Sequence, residues 1–364
     1  TADAVMAPLT ERRPIAVAAT EQSLRPAQGG PRLTLAAMIN TTLADIMAAR
    51  PEVLVFGEDV AVKGGVYGVT KGLRKKYGAA RVFDTVLDEQ TVLGTALGAA
   101  LAGFVPIPEI QYLAYLHNAE DQLRGEAASL KFFSDAQFTN GMVVRIAGLA
   151  YQRGFGGHFH NDNAVAVLRD IPGIVVAVPS SAAEAAALLR TCVALAVEEG
   201  RVCVFLEPIA LYHRVDLDDG DGALRCVDDA SAEFATIATH SDGEDLAIVT
   251  FGNGVVMSRR AASRLRERGI GVTIVDLRWI VPLPVDDLLR RLEGFDRVLI
   301  ADETRHDGGV GEGVVTALIE GGYAGTIRRV ASKNSFVPLG GAADLVLLSE
   351  DEIVSAAAEM VESG

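Results

Sequence analysis

Extended apolar segments and helical segments alternate along the first half of the chain. Five apolar segments of strand length are separated by patterns in which apolar residues recur every three or four positions. The strands are predicted at 53–59, 81–86, 142–147, 174–179 and 202–208, and the helices at 35–47, 69–77, 117–133 and 181–199. Because these strands are apolar on both faces, the pattern indicates a parallel sheet covered by helices on both sides.

The same alternation restarts after the acidic stretch DLDDGDGALRCVDD, which is typical of a polar linker. Beyond it, strands are predicted at 246–252, 272–278, 297–303 and 326–331, and helices at 255–268, 285–292, 310–320 and within 344–362. The sequence therefore predicts an α/β protein of two doubly wound domains. The first spans 32–215, an acidic linker spans 216–243, and a smaller domain spans 244–364.

Residues 1–31 lack apolar periodicity and are rich in Ala, Pro and Arg, with Gly29-Gly30-Pro31 at their end. We interpret them as a flexible arm or linker. The chain begins with Thr rather than Met, which leaves open whether it is a processed piece of a longer polypeptide.

The segment from Arg81 to Tyr115 carries the most informative pattern. A short extended stretch ends at Glu89, a helix rich in Gly and Ala follows, and two prolines begin another extended stretch that runs to Tyr115. The small residues Gly94, Gly98 and Ala102 recur every four positions and form a smooth stripe where another subunit is expected to pack. Glu89 then lies at the positive end of the helix dipole, where it either has a chemical role or merely caps the helix.

Composition narrows the class of protein. The 364 residues are 49% hydrophobic and 22% charged, as in globular proteins, and the formal net charge of −15 disfavours a nucleic-acid partner. No signal peptide or membrane span is apparent, so a cytoplasmic location is expected. The three cysteines have no metal-ligand spacing and are interpreted as reduced.

Two histidines, His158 and His160, flank Phe159 in a Gly-rich loop. In an extended segment they would point the same way, as metal ligands can. No metal site is predicted, however, because no third ligand with suitable spacing accompanies them. Gln111 and Tyr115 lie four residues apart on the extended stretch that follows the helix of Glu89; Tyr115 taken alone could equally be an ordinary buried tyrosine.

Nine short motifs, in this order and at this spacing, resemble those of the β subunit (E1β) of the thiamine-diphosphate-dependent 2-oxo acid dehydrogenases of pyruvate, branched-chain and acetoin type. The motifs are GEDV (57–60), GGV (64–66), VFDT (82–85), LDE (87–89), PEIQ (108–111), GGHFH (156–160), FLEP (205–208), DLR (276–278) and GGVG (308–311). The resemblance spans about 33–361. It implies a transketolase-like pyrimidine-binding domain followed by a transketolase C-terminal-like domain.

The resemblance also implies roles for individual residues. Glu89 matches the glutamate that hydrogen-bonds the pyrimidine ring of thiamine diphosphate, Gln111 and Tyr115 match residues that contact the ring, and His160 matches a proton donor near the substrate. The family usually continues after this histidine with Ser-Gln, whereas this chain has Asn161-Asp162. The added negative charge is expected to raise the pKa of His160 and to affect substrate preference.

In this family the cofactor is shared between two chains. An E1α-type partner would bind the diphosphate and Mg²⁺, and an α2β2-like assembly would decarboxylate a 2-oxo acid and pass the acyl group to lipoyl on E2. Gly220-Asp221-Gly222 followed by Asn253 mimics a diphosphate motif, but the spacing is too long and a second Asn is missing. The glycines at 309–313 mimic a dinucleotide fingerprint with a misplaced third glycine, which indicates only a helix N-terminus suited to an anion or to tight packing.

Two alternatives stay open from the sequence. One is the β subunit of an acetoin-type dehydrogenase, and the other is a non-catalytic assembly subunit of the same fold, although a scaffold would need none of the candidate site residues. We also expect, as a hypothesis, that the 1–31 arm once joined this chain to an E1α-like segment.

Overall fold

The computed structural model describes residues 1–12, 33–151, 156–214 and 232–362. The first domain is built on six parallel strands, and helices cover both of their faces. The strands are β1 (Val53–Gly57), β2 (Val82–Asp84), β3 (Val105–Ile110), β4 (Met142–Gly148), β5 (Val175–Ala177) and β6 (Val202–Pro208). The helices are α1 (Ala2–Thr10), α2 (Leu35–Ala49), α3 (Leu73–Tyr77), α4 (Glu89–Leu101), α5 (Leu113–Leu116), α6 (Ser129–Phe133), α7 (Ala166–Arg169) and α8 (Ala182–Glu198).

The second domain has a five-stranded sheet in the order β12-β11-β8-β9-β7. Its strands are β7 (Ala238–His240), β8 (Leu246–Thr250), β9 (Val272–Asp276), β11 (Arg297–Arg305) and β12 (Thr326–Ser332), and its helices are α9 (Asn253–Arg266), α10 (Val285–Leu292), α11 (Val310–Glu320) and α12 (Glu350–Glu362). Only β7 runs antiparallel among the described strands of this sheet. The predicted α/β fold with two sheets is confirmed.

Strand β10 (Trp279–Val281) joins the two domains. It leaves the second sheet and pairs antiparallel with β5, so the first sheet reads β10-β5-β6-β4-β3-β1-β2. The indole of Trp279 is fully buried there, and one apolar cluster continues from Ile146 of the first sheet to Val249 of the second. Burial of this shared apolar surface stabilises the two domains as a unit.

Three local predictions require correction. Residues 2–10 were expected in a flexible arm but form α1, because the Ala-rich segment favours a helix and the Arg201 guanidinium donates to the carbonyl oxygen of Leu9 at its end (2.6 Å). The rest of that arm, from residue 13, lies outside the described residues. Within the predicted acidic linker, residues 238–240 form the edge strand β7. The extended stretch predicted to reach Tyr115 ends at Ile110, and Tyr115 lies in α5.

Residues 117–133 are helical as predicted, although the helix is not uniform. A 3-10 turn (His117–Ala119) follows α5 directly, and a π-helical segment (Gln122–Ala128) precedes α6. Segments of this kind occur often at functional sites. Among the described residues, no helix is long and apolar enough to cross a membrane.

Candidate active site

The candidate site lies at the carboxyl ends of neighbouring parallel strands. In the order β4-β3-β1, Glu58 follows β1, Gln111 follows β3, and the loop of His160 follows β4. Gly57 is in register with Glu109, and a Cβ added at Gly57 would stand 2.6 Å from the Glu109 carbonyl oxygen. A side chain there would therefore push β1 and β3 apart. Ligands of open α/β sheets bind in the crevice at such strand ends.

Glu89 is the first residue of α4, but it does not cap the helix. The preceding Asp88 is the N-cap, and its carboxylate accepts a hydrogen bond from the backbone N–H of Thr91 (3.1 Å). The Glu89 side chain is buried, and its Oε2 accepts a hydrogen bond from Nδ2 of Asn118 (2.8 Å). Because capping is done by the neighbour, the carboxyl of Glu89 is oriented by Asn118 instead.

A second carboxyl, Glu58, lies close to Glu89. Burial, followed by the charges of Glu89, Asp59 and Asp88, raises the pKa of Glu58. Its Oε1 is buried and has no hydrogen-bond partner among the described residues. Glu58 belongs to the GEDV motif, but no role for it could be predicted from the sequence, because its closeness to Glu89 depends on how β1 and α4 pack.

Aromatic rings surround His160. The ring centroid of Tyr112 lies 4.9 Å from that of His160 in an edge-on arrangement, and the Tyr115 hydroxyl lies 3.5 Å from His160 Nε2. Burial, with smaller contributions from Tyr112, Glu58 and Glu89, raises the pKa of Tyr115, so its hydroxyl keeps its proton at neutral pH. The structure thus brings Tyr115 and His160 together, and it adds Tyr112, which the sequence analysis did not single out.

Gln111 stands at the end of β3, half-buried, and its amide group hydrogen-bonds to no other residue of the described part of the chain. No described residue donates to the second carboxyl oxygen of Glu89 either. Together with Glu58 Oε1, these atoms leave hydrogen-bonding capacity that no described residue uses. An aminopyrimidine carries two ring nitrogens and an exocyclic amine. It can therefore form hydrogen bonds both with the carboxyl oxygens and with the amide group of this site.

His158 does not act with His160. Its ring stacks 4.0 Å from that of Phe159 and 4.8 Å from that of Phe336. The two histidines diverge because residues 157–161 form a turn, in which the N–H groups of His160 and Asn161 both donate to Gly157, so the alternation expected of an extended segment does not apply. The potential metal-binding group found in the described residues contains neither histidine.

The residues after His160 have structural partners that the sequence could not show. Asn161 binds the loop itself, since its Oδ1 accepts from the N–H of Gly156 (2.8 Å). The carboxylate of Asp162 faces His117 and Arg305 rather than His160. The expected influence of Asp162 on His160 is therefore not supported by the geometry. Instead, the hydrogen bond to Asp162 raises the pKa of His117.

A buried ionic network supports the strands beneath the site. The guanidinium of Arg145 on β4 binds both carboxylate oxygens of Glu207 (2.7 and 2.8 Å) and donates to Glu109 (2.7 Å), and the Tyr212 hydroxyl also donates to Glu207. The glutamates of the PEIQ and FLEP motifs thus bind the same arginine. Their role is to fix β3, β4 and β6 together, since a buried carboxylate is tolerated only when it is paired.

The glycine-rich motif at 309–313 does not leave an open anion site. The N–H of Gly311, in the first turn of α11, donates to the Asp302 carboxylate (2.6 Å). The Asp302 carboxylate thus occupies this helix N-terminus. Of the two predicted alternatives, an anion site or tight packing, the arrangement corresponds to tight packing. The other mimic, at 220–222, lies outside the described residues, and the N–H of Asn253 donates to Glu303 (2.9 Å).

Comparisons with known proteins agree with this architecture. Residues 32–213 match the family described as "Transketolase, pyrimidine binding domain", and residues 235–353 match "Transketolase, C-terminal domain". The chain is 31% identical over 339 residues to the "Pyruvate dehydrogenase E1 component subunit beta" of Staphylococcus aureus (strain Mu50 / ATCC 700699), covering 91% of this chain and 99% of that protein. The protein of the same description from Staphylococcus epidermidis (strain ATCC 12228 / FDA PCI 1200) is 30% identical over the same length and coverage.

A solved structure described as "Split gene transketolase, inactive beta4 tetramer" is similar in fold. It superposes with a TM-score of 0.71 at 19% sequence identity, covering 91% of this chain and 99% of that chain. At this level of identity the similarity shows the fold alone.

Proposed function

The chain belongs to the transketolase-like family that includes the pyruvate dehydrogenase E1 β subunits, and from this premise we propose that it is the catalytic β component of a 2-oxo acid dehydrogenase E1. It would act with an E1α-type chain on thiamine diphosphate, decarboxylate a 2-oxo acid, and pass the acyl group to the lipoyl group of an E2 protein. The proposal rests on the environment of Glu89. Its side chain is buried and is oriented by Asn118, and Asp88 rather than Glu89 caps the helix.

Glu89 and Gln111 would hold the aminopyrimidine ring, with Tyr115 against it. When bound, thiamine diphosphate supplies an electron sink for the carbon from which carbon dioxide departs. The part of Glu89 is to hold or share a proton at its carboxyl group, which a buried site favours over exchange with water. Glu58 places a second carboxyl nearby, and burial together with the negative charge of Glu89 raises the pKa of Glu58.

His160 is exposed beside the Tyr115 hydroxyl at the mouth of this site. An imidazole can donate or accept a proton near neutral pH, and the neutral Tyr115 hydroxyl can hold it in one orientation. We propose that His160 faces the substrate, where a proton donor would serve the substrate carboxylate or the incoming lipoyl group.

The need for a partner chain is supported by charge and exposure. The charged groups that raise the pKa of Glu58 are all carboxylates, which suits a pyrimidine and repels a diphosphate. Val86 and Leu87, just before Glu89, are 64% and 83% exposed. On α4, apart from the adjoining residues and the backbone of the helix itself, no atom of the described residues lies within 4 Å of the point where a Cβ on Gly94 or Gly98 would stand. We propose that an E1α-type chain, which would also supply the diphosphate and Mg²⁺ site, closes the pocket here, within an α2β2-like assembly.

Calorimetry with thiamine diphosphate and Mg²⁺ tests the division of the site. This chain alone is expected to bind the cofactor weakly or not at all, and addition of an E1α-type chain is expected to produce tight binding. Assays of the assembled pair for decarboxylation of pyruvate and of branched-chain 2-oxo acids, and for carbon–carbon bond cleavage of acetoin, then identify the substrate. Micromolar binding by this chain alone would refute the shared site, and assembly without turnover would favour a non-catalytic subunit.

A further inference from the structure

Asp162 joins three parts of the molecule that are far apart in sequence. Its side chain is buried, with 6% exposure. Its Oδ1 accepts a hydrogen bond from Nη2 of Arg305 on β11 (2.9 Å) and one from the N–H of Ala164 (3.2 Å). Its Oδ2 lies 3.5 Å from Nε2 of His117. The loop of His160 is therefore tied to the second domain on one side and to the 3-10 turn after α5 on the other.

The segment Leu113–Ala119 carries three polar contacts to the candidate site. Tyr115 reaches His160 (3.5 Å), His117 reaches Asp162 (3.5 Å), and Asn118 donates to Glu89 (2.8 Å). The segment is helical throughout, and its apolar side chains Leu113, Leu116 and Ala119 are buried in the core. A shift of the backbone at His117 is therefore passed to Asn118, which is joined to it by a planar peptide bond.

The charges around Asp162 alternate in sign. Burial alone would raise the pKa of Asp162, but the hydrogen bond with His117 and the charge of Arg305 outweigh it and leave the pKa below its ordinary value. The hydrogen bond to Asp162 raises the pKa of His117, with smaller help from Glu120, whose carboxylate lies 4.0 Å away just after that segment, while burial and Arg305 oppose it. The contact is strongest when His117 is protonated and Asp162 is ionised.

We propose that Asp162 is a positioning residue, which holds His117 and thereby fixes the turn whose Asn118 orients the Glu89 carboxyl and whose Tyr115 meets His160. The inference rests on the proposed function only for its catalytic consequence. It assigns a role to the position where this chain departs from the family resemblance, at Asn161-Asp162. Arg305 anchors Asp162 from the second domain, so the pairing also makes the pocket sensitive to how the domains are packed.

A merely structural tie between the domains is the competing explanation. Arg305 itself would stay in place without Asp162, because its Nε donates to the carbonyl oxygen of Ser335 (3.1 Å) and its guanidinium lies over the ring of Phe336 (5.9 Å). The variant Asp162→Asn keeps the shape of the side chain and an acceptor for Ala164, so it is expected to fold. It removes the negative charge that holds the protonated His117.

The first test uses NMR on the intact chain and needs no activity. In wild type, the His117 ring is expected to titrate above its ordinary pKa, and the side-chain amide signals of Asn118 are expected to follow with the same midpoint. In Asp162→Asn, the His117 midpoint falls and the Asn118 signals no longer follow it. The control is Asp170→Asn, an exposed aspartate at the end of α7, which should change neither. If the side-chain amide signals of Asn118 do not change as His117 titrates in wild type, the proposal is overturned.

The second test uses the assembled enzyme. Asp162→Asn is expected to lower kcat by about ten- to a hundredfold with a smaller change in KM, because a displaced catalytic group costs rate more than binding. Wild-type kcat is expected to decline on the alkaline side as His117 loses its proton, and this decline should disappear in the variant. An unchanged kcat and pH profile would overturn the positioning role. Lack of turnover by wild type would instead count against the proposed function, and the NMR test would still decide the inference.

Discussion

Removing the amide of Asn118 is the simplest perturbation of the candidate site. In Asn118→Ala, Glu89 Oε2 loses its hydrogen bond of 2.8 Å, while the exposed position of residue 118 means that little buried apolar surface is lost. The carboxyl of Glu89 stays in place, 8% exposed, with its partner gone. The change therefore isolates one polar contact.

The magnitude follows from the geometry. A hydrogen bond to a charged group contributes about 1.5–3 kcal/mol, and partial access of water to the vacated position lowers the cost, so we expect a loss of about 1–2 kcal/mol in the free energy of unfolding. If the same bond orients Glu89 for catalysis, kcat of the assembled enzyme should fall by about tenfold, which corresponds to about 1.4 kcal/mol.

Urea unfolding of the single variants Asn118→Ala and Glu89→Ala and of the double variant measures the contact as a coupling energy, expected at about 1 kcal/mol. Gln137→Ala removes an exposed amide elsewhere and serves as the control, with an expected change within about 0.5 kcal/mol. A coupling energy near zero would refute the statement that Asn118 orients Glu89. A coupling energy of the expected size, together with normal turnover by Asn118→Ala in the assembled enzyme, would refute the importance of this hydrogen bond for catalysis.

Two further predictions concern the buried charges. Arg145→Met leaves the carboxylates of Glu109 and Glu207 buried without their partner, so denaturant unfolding should show a loss of about 3–5 kcal/mol or a chain that does not fold; near-normal stability would contradict the network. Burial raises the pKa of Glu303 to about 8 from 4.5, so this group stabilises the fold fully below about pH 4.5 and its contribution is lost as pH rises through about 8. The stability of wild type relative to Glu303→Gln should therefore fall with rising pH, by at most about 1.4 kcal/mol per unit, and a constant difference would contradict the assignment.

The elements that alternate regularly were predictable from the sequence because their apolar periodicity is local. Strand β10 was not, since a three-residue strand that crosses between domains has no periodicity of its own, and its pairing with β5 joins residues about a hundred positions apart. The helix α1 was missed because the prolines and alanines of the first 31 residues resemble a linker, while the group that ends the helix, Arg201, lies in another part of the chain.

The candidate site shows the same division. Glu89, Gln111, Tyr115 and His160 were selected through their motifs, and the fold places them near the carboxyl ends of β1, β3 and β4. The partners that orient them were not predictable, because Asn118 meets Glu89, and Asp162 meets His117 and Arg305, only after the chain has folded. The expected influence of Asp162 on His160 was inferred from nearness in sequence, and the turn at 157–161 directs the two side chains apart.

The role of Glu89 in the proposed reaction is tested most directly by Glu89→Gln in the enzyme assembled with an E1α-type chain. Glutamine keeps the size of the side chain and can still hydrogen-bond, but it cannot hold or release the proton. We predict that thiamine diphosphate still binds in calorimetry, while 2-oxo acid decarboxylation falls by two decades or more, about 3 kcal/mol of transition-state stabilisation. The control Glu267→Gln, an exposed carboxylate at the end of α9, should leave the rate unchanged. Decarboxylation by Glu89→Gln at a rate close to that of wild type would contradict the account.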